Sequence, residues 1–204
     1  MSNLAQLNLQ RWIDAREGKL ERTLSASQKA VRHKCFVSYH QEDEVEVRKF
    51  LEEFEVAFIP RVLGASDEDD FIDSDDTDYV MDQIRERYLT DSTVTISLIG
   101  KCTWARKYVD WEVYSTLRND KFNRLSGLMA VTLPSIENST KTLPDRVSDN
   151  VNGTGGYARW WKYPSSVGGL QSMIEEAFQA RTSRVDLIDN SRARRMRNSS
   201  CLIV

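Results

Sequence analysis

The chain has 204 residues, 40% of them hydrophobic, and a net charge of −3 from 28 basic and 31 acidic side chains. This length and composition predict one compact domain with extensions. The balanced charge argues against a general nucleic-acid binder, whose domain would carry a basic excess. The N-terminus lacks the apolar region of a secretory signal, and no apolar run is long enough to cross a membrane. We therefore expect a cytoplasmic protein with neither a nucleic-acid partner nor a membrane span.

The cysteines are Cys35, Cys102 and Cys201. Their odd number and their spacing argue against a disulfide framework and against a zinc site. A reducing cytosol is the compartment in which such thiols are expected.

The chain divides into three parts on composition. Residues 1–32 are polar and rich in helix-forming residues, with only a loose apolar stripe, which predicts either an extra helix or a flexible arm. If helical, this extension would pack on the domain or on a neighbouring subunit. Residues 33–182 form the domain, and the basic tail 183–204 is expected to be disordered.

The first half of the domain begins with CFVSYH, a short β-prone run that predicts a buried strand. Asp43 and Glu46 follow at the spacing of a capping box and predict the start of a helix. VAFIPRVLG predicts a second strand, in which Pro60 marks an edge or an end. The inner face of the intervening helix carries Val47, Phe50, Leu51 and Phe54.

The acidic segment Ser66–Asp78 predicts a loop. Its aspartates are similar to those of a calcium loop, but the glycine and the final glutamate of an EF-hand are missing, so a solvated loop is the favoured interpretation. Asp76 or Thr77 can then cap another helix. The predicted inner face of that helix is Val80, Met81, Ile84 and Tyr88.

The run TVTISLIG is β-branched and almost entirely apolar. This pattern predicts a central strand covered on both faces. A helix is expected to follow it as far as about Arg118, and LMAVTLP predicts the next strand.

The last part of the domain is less regular. After a loop-rich stretch, ARWWKYP is either a short final strand or a packed loop. Ser165 or Ser166 begins a last helix. Its inward face is expected to carry Leu170, Met173, Ile174, Ala177 and Phe178.

Strands that alternate with helices predict an α/β fold of three layers, flavodoxin-like, with a central parallel sheet. Ligands of such sheets bind at the carboxyl ends of the strands. Ser38–His40 and Gly100–Trp104 follow two of these strands, so we expect them to lie close together. Glu112 is one or two turns into the helix that starts at this edge, and we expect it at the rim of a pocket.

Two segments carry a resemblance to a known family. CFVSYHQED resembles the first-strand motif of TIR domains, with Phe36, Ser38 and Asp43 at matching positions. SLIGKCTWARKYVDWEV resembles the later TIR segment, in which an aromatic residue, here Tyr108, precedes a glutamate, here Glu112, by four positions. The order of residues in this segment is similar to that in the TIR-like proteins of bacterial Thoeris anti-phage systems. Together the two segments are fairly specific, although either alone would be weak.

The resemblance implies a TIR-like fold and consumption of NAD as a substrate, with no cofactor. It implies that Glu112 acts on the ribose of nicotinamide, where a carboxylate stabilises an oxocarbenium-like transition state. The product would be ADP-ribose, a cyclic isomer or a conjugate, and would signal to an effector. A homo-oligomer is also implied. The residues expected to bind the substrate are Phe36, Ser38, His40, Gly100, Trp104 and Tyr108.

The chain departs from the family pattern in two places. Many TIR domains have tryptophan at the position of Tyr108, and an Arg-Gly pair where this chain has His40 and Gln41. These departures leave the predicted fold intact and put the product and the rate in doubt.

A non-catalytic TIR-like adaptor, acting through protein–protein assembly, is the alternative function. By spacing alone, Glu112 would be a surface carboxylate paired with Lys101 or Lys107. Asp110 is expected at the surface, while Trp111 fits the core as well as a pocket. The chain ends Cys201-Leu-Ile-Val after a basic cluster, which resembles a prenylation box; coincidence is the favoured interpretation.

Overall fold

A computed structural model describes residues 2–25, 32–62, 79, 89–118, 125–139, 142–151 and 155–201, with side chains from residue 9 onward. The described part of the chain contains a five-stranded sheet in which every pairing is parallel, in the order β2-β1-β3-β4-β5. The strands are β1 His33–Ser38, β2 Phe58–Arg61, β3 Val94–Ile99, β4 Gly127–Thr132 and β5 Arg159–Trp161. The parallel α/β architecture predicted from the sequence is confirmed.

In the described part of the chain, helices precede β1, follow β5, and lie between β1 and β2, between β3 and β4, and between β4 and β5. They are α1 Ser2–Leu20, α2 Glu44–Glu53, α3 Lys107–Thr116, α4 Asp145–Asn150 and α5 Val167–Ser183. Short 3-10 turns lie at Gln41–Asp43, Thr103–Ala105, Pro134–Ile136 and Val185–Leu187. The hydroxyl of Ser166 accepts a hydrogen bond from the amide of Gly169 and caps α5, which settles the start of that helix.

The sheet is buried on both faces, and alternate side chains divide between two apolar clusters. Val37, Ile96 and Leu98 lie in the cluster that includes residues of α1, α2 and α5. Ile99 and Leu128 lie in the cluster on the face of α3 and α4. The predicted three-layer arrangement is therefore the observed one.

The N-terminal helix packs on the domain. Leu9 and Ile13 are buried in the first cluster, and the side-chain oxygen of Gln10 accepts a hydrogen bond of 3.1 Å from the amide of Val62, just after β2. The buried guanidinium of Arg32 bonds Glu17 of α1 and the carbonyl oxygen of Phe58 in β2. Of the two alternatives for residues 1–32, the packed helix describes Ser2–Leu20.

The predicted acidic loop Ser66–Asp78 and the helix face that includes Val80, Met81, Ile84 and Tyr88 lie outside the described residues. Among the helices that the structure does describe, none is both long enough and apolar enough to cross a membrane.

The expectation of a disordered tail is wrong for residues 183–201. Residues 188–201, named here the C-terminal strap, run over the outer side of α4 and α3 and are held by hydrogen bonds to both. The strap ends in a disulfide between Cys201 and Cys102, whose Cα atoms are 5.6 Å apart. The expected absence of a disulfide is wrong for this pair. The two cysteines are 99 positions apart in the chain, and only the path of the strap brings them together. Cys35 is a buried free thiol.

Candidate active site

A hydrogen bond between β1 and α3 forms the centre of the site. Ser38 is the last residue of β1, and its hydroxyl donates to a carboxylate oxygen of Glu112 at 2.5 Å. The strand order places β1 and β3 side by side where the connections reverse direction, which is the switch point at which ligands bind in sheets of this type. Ser38 and Glu112, predicted from separate segments, are thus brought into contact at the expected edge of the sheet.

Glu112 is more buried than its predicted place at a pocket rim, since only 5% of its surface is exposed. It pairs neither with Lys101 nor with Lys107, and within the described part of the chain Ser38 is the one hydrogen-bond donor to its side-chain carboxylate. Burial raises the pKa of Glu112 to about 8, and the Ser38 hydroxyl offsets part of this effect. A carboxyl group with a strongly raised pKa, at the edge where parallel sheets bind ligands, is a candidate catalytic residue.

Helix α3 is fixed to the sheet one turn beyond Glu112. The hydroxyls of Thr116 and Thr95 lie 2.8 Å apart, and the Thr116 hydroxyl also donates to the carbonyl oxygen of Glu112. Helix α3 is therefore joined to β1 through Glu112 and to β3 through Thr116.

Two neighbours of Glu112 fix the outer side of α3. Asp110 is buried, contrary to the predicted surface position, because Arg146 of α4 forms a buried ion pair with it at 3.0 Å. Trp111 is also buried, and its indole nitrogen donates to the carbonyl oxygen of Arg195 in the strap. These contacts leave Glu112 pointing toward the sheet.

A second set of contacts joins the ends of β1 and β3. The carboxylate of Asp43 accepts a hydrogen bond from Thr103, whose hydroxyl in turn accepts one from the amide of Gly100 at 2.8 Å. Asp43 is the N-cap residue of α2, so the predicted start of this helix is confirmed, but its side chain makes no cap hydrogen bond and the predicted capping box is wrong. The Asp43 carboxyl group instead bonds Thr103, in the turn after β3. Burial raises the pKa of Asp43 to about 6.

Gly100 is required by this close approach. A β-carbon at residue 100 would overlap the carboxyl group of Asp43. We expect Gly100→Ala to lower the free energy of unfolding by about 1–3 kcal/mol, the usual effect of overpacking. Urea unfolding of Gly100→Ala, Asp43→Ala and the double variant checks this; the double variant should lose less than the sum of the singles. Additive losses would show that the two residues are not in contact.

The other predicted residues surround this centre. Phe36 lies on the same face of β1 as Ser38 and is fully buried. His40 is half-buried, with its Nε2 atom 3.4 Å from Glu42, and burial followed by the charge of Arg106 lowers its pKa. Their role in binding a substrate stays a prediction.

Two more of the residues predicted to bind substrate, Trp104 and Tyr108, lie on the α3 side. Trp104 is half-buried in the turn before α3. Tyr108 precedes Glu112 by one turn, packs edge-to-face on Trp111 with ring centres 5.4 Å apart, and has the ammonium of Lys107 4.7 Å from its ring centre. Residues four apart on a helix share a face, so Tyr108 and Glu112 are neighbours as the motif requires.

The polar residues of β3 were not predicted to belong to the site. Ser97 pairs in register with Ser38, is fully buried, and has no hydrogen-bond partner for its hydroxyl among the described residues. Together with Thr95 it forms a polar stripe on one face of the strand. The alternation of Thr95 and Ser97 with apolar residues in TVTISLIG was the signal for this stripe.

A cavity of about 460 Å³ lies elsewhere, lined by residues that include His33, Ala57, Ile174 and Glu175. His33 begins β1, whereas Ser38 ends it. The cavity is therefore at the amino edge of the sheet, opposite to the edge at which parallel sheets bind ligands.

The buried carboxyl group makes stability depend on pH. The pKa of Glu112 is about 8 in the folded chain, against an ordinary value of 4.5. Between these values the folded chain holds a proton that the unfolded chain has lost, so the free energy of unfolding falls as pH rises from about 4.5 to about 8. Glu112→Gln removes the contribution of Glu112 to this pH dependence. The contribution of Asp43, whose pKa is also raised, stays in place. Urea unfolding at a series of pH values should show a steeper fall for the wild type; parallel curves would contradict the raised pKa.

The parallel sheet and the buried glutamate at its carboxyl edge define a TIR-like α/β protein. The sequence profile of the family described as Thoeris protein ThsB, TIR-like domain, matches residues 36–138, just over half of the chain. The chain belongs to this family. The match contains Ser38 and Glu112 together with the turn between β3 and α3. No curated protein sequence matches the chain.

Proposed function

We propose that this TIR-like protein cleaves the bond between nicotinamide and ribose in NAD, with Glu112 as the catalytic residue. The observation that carries the proposal is the buried carboxyl group of Glu112, held by Ser38 at the ligand-binding edge of the sheet. Membership of the ThsB TIR-like family supports the same assignment. NAD is the substrate in this scheme, and no cofactor takes part.

In the proposed reaction the C–N glycosidic bond breaks and nicotinamide leaves with the electron pair. Positive charge then develops on the ribose, and a carboxylate beside it stabilises the transition state more than the ground state. Water attacks the ribose carbon and loses a proton to give ADP-ribose. An internal nucleophile or a second small molecule would instead give a cyclic isomer or a conjugate.

The raised pKa of Glu112 is compatible with this role. In the free protein near neutral pH the group is mostly protonated, since its pKa is about 8. The nicotinamide ring of NAD carries a positive charge, and an adjacent positive charge lowers the pKa of a carboxyl group. Binding of the substrate would thus ionise Glu112 where the reaction needs the carboxylate.

Signalling and assembly belong to the same proposal. A nucleotide product would act on an effector in anti-phage defence, and activity would require a homo-oligomer. Both follow from the resemblance to TIR-like proteins of Thoeris systems.

One observation favours the alternative of a non-catalytic adaptor. Glu112 is almost fully buried, and a neutral glutamate hydrogen-bonded to a serine joins a helix to a strand whether or not it takes part in a reaction. Under that alternative the chain would bind partners without consuming NAD.

Incubation of the concentrated protein with NAD, followed by mass spectrometry, separates the two functions. The proposal predicts release of nicotinamide together with ADP-ribose, a cyclic isomer or a conjugate. If a folded sample leaves NAD intact, both when purified and in cells exposed to phage, the adaptor function is the correct one.

A further inference from the structure

The C-terminal strap has three sets of anchors. The first set lies on α4 and does not involve the disulfide. Arg146 donates to the side chain of Asn190 at 2.8 Å and to the carbonyl oxygen of Ala193 at 3.2 Å. The side chain of Asn150 exchanges two hydrogen bonds with the backbone of Asp189. This half of the strap is held by buried and half-buried partners.

The middle of the strap lies on α3. The amide of Arg195 donates to Asp110 at 2.8 Å, and its carbonyl oxygen accepts from Trp111. Two adjacent residues of α3 are thus bound to one residue of the strap. This anchor too is independent of the disulfide.

The third set of anchors lies on the turn between β3 and α3, residues 100–106, named here the site turn. The amide of Ser199 donates to the carbonyl oxygen of Ala105 at 2.9 Å. Cys201 is bonded to Cys102. The last residues of the strap therefore hold the same turn that contains Gly100 and Trp104.

The strap also supplies the cap of α3. Arg106 precedes the helix and gives no side-chain cap. Instead the side-chain oxygen of Asn198, 91 positions away, accepts a hydrogen bond of 2.9 Å from the amide of Lys107, the first residue of α3. Caps of this kind stabilise the first turn of a helix. Here the helix is the one that carries Glu112.

We propose that the Cys102–Cys201 disulfide is a redox-operated clasp, which holds the site turn and the first turn of α3 while it is oxidised and releases them when it is reduced. Release removes the covalent anchor beside the Ser199 and Asn198 contacts, which are single exposed or half-buried hydrogen bonds. The anchors on α4 and at Arg195 remain. Disulfides of cytosolic proteins are rare and are usually catalytic or redox-sensing.

The chemistry of release is thiol–disulfide exchange. Cys201 is half-buried and Cys102 only 3% exposed, so a dithiol reductant reaches the sulfur of Cys201 first. A thiolate of the reductant attacks the sulfur of Cys201, and the S–S bond breaks. Cys102 leaves as a thiolate and takes up a proton. The second thiol of the reductant then attacks the mixed disulfide and frees the Cys201 thiol. Two electrons and two protons pass from the dithiol to the protein.

The consequence for activity rests on the proposed function. A looser site turn places Trp104 and the start of α3 less accurately, and small displacements of catalytic groups have large effects on rate. We therefore expect kcat/KM for NAD to fall by about tenfold or more on reduction.

Hydrogen–deuterium exchange of the full chain tests the clasp without any need for NAD cleavage. The protein is compared before and after treatment with dithiothreitol, and the thiols of each sample are titrated after the reductant is removed and the protein is denatured. The clasp predicts one free thiol before treatment, three after, and exchange at residues 101–107 faster by about tenfold or more, because those amides open locally. Residues 189–195 should be unchanged.

Two variants complete the test. Cys201→Ser should show the fast exchange at 101–107 without reductant and should not respond to it. Ser200→Ala, a neighbouring exposed residue that leaves both cysteines in place, should behave as the wild type. Three free thiols in the untreated protein, or equal exchange at 101–107 in both redox states, would overturn the clasp. A redox effect on exchange in a protein that leaves NAD intact would keep the clasp and reject the proposed function.

Discussion

Replacing Glu112 with glutamine is expected to lower the rate of nicotinamide release from NAD by at least about a hundredfold to a thousandfold, the usual effect of removing one group that stabilises transition-state charge. Glutamine has the same shape, and its side-chain oxygen can still accept the hydrogen bond from Ser38. It cannot carry the negative charge that faces the developing cation. The loss should therefore appear in catalysis and not in folding.

The matched control is Glu137→Gln, which makes the same chemical change at an exposed glutamate on the turn after β4. Its activity should equal that of the wild type. At pH 8 and above, the midpoint temperature of thermal unfolding of Glu112→Gln should be at least as high as that of the wild type, because the variant has no charge at this buried position. A Glu112→Gln protein that is folded and fully active would show that the carboxylate has no part in the reaction.

Loss of Arg146 is expected to have the largest effect on stability. Its side chain is 0% exposed and forms an ion pair with Asp110, which is itself buried. Arg146→Ala leaves the Asp110 carboxylate without its cation, and such losses usually lower the free energy of unfolding by about 3–5 kcal/mol. The anchors of the strap at Asn190 and Ala193 are lost at the same time. Urea unfolding of the purified protein measures the change.

Arg192→Ala provides the comparison. Arg192 lies in the same strap and pairs with Asp149 at 2.6 Å, but its side chain is 45% exposed. Surface pairs of this kind contribute about 0–1 kcal/mol. Equal losses for the two variants would mean that the Arg146–Asp110 pair is not buried in solution. If Arg146→Ala fails to accumulate, Arg146→Lys replaces it, because lysine keeps the charge but loses the paired hydrogen bonds. The free energy of unfolding of Arg146→Lys should be lower than that of Arg192→Ala, but the protein should still fold.

The order of the elements was predictable because each strand carries its own local signal. The apolar runs around Phe36, Ile96 and Val131 predicted β1, β3 and β4, and helical periodicity predicted α2 and α5. A chain in which strands alternate with helices is predicted to form a parallel sheet. The contact between Ser38 and Glu112 follows from the same rule, since both lie at the carboxyl edge.

The contacts that set the environment of Glu112 were not predictable in this way. Arg146, Asn198 and Cys201 reach α3 or the site turn from elements far along the chain, and no local pattern connects them with it. Asp43 matched a capping box, but its carboxylate bonds Thr103 across the site. Burial of Asp110 and Glu112 likewise depends on the strap and on β1, because a helix carrying several charged residues is ordinarily solvated on that face.

The most direct test of the account is the amount of nicotinamide released from NAD by wild type and Glu112→Gln, measured side by side in purified protein at high concentration and in phage-infected cells. The account predicts release by the wild type in at least one of these settings and a loss of at least about a hundredfold in Glu112→Gln. Release that is equal in the two proteins, or absent from the folded wild type in both settings, would contradict it.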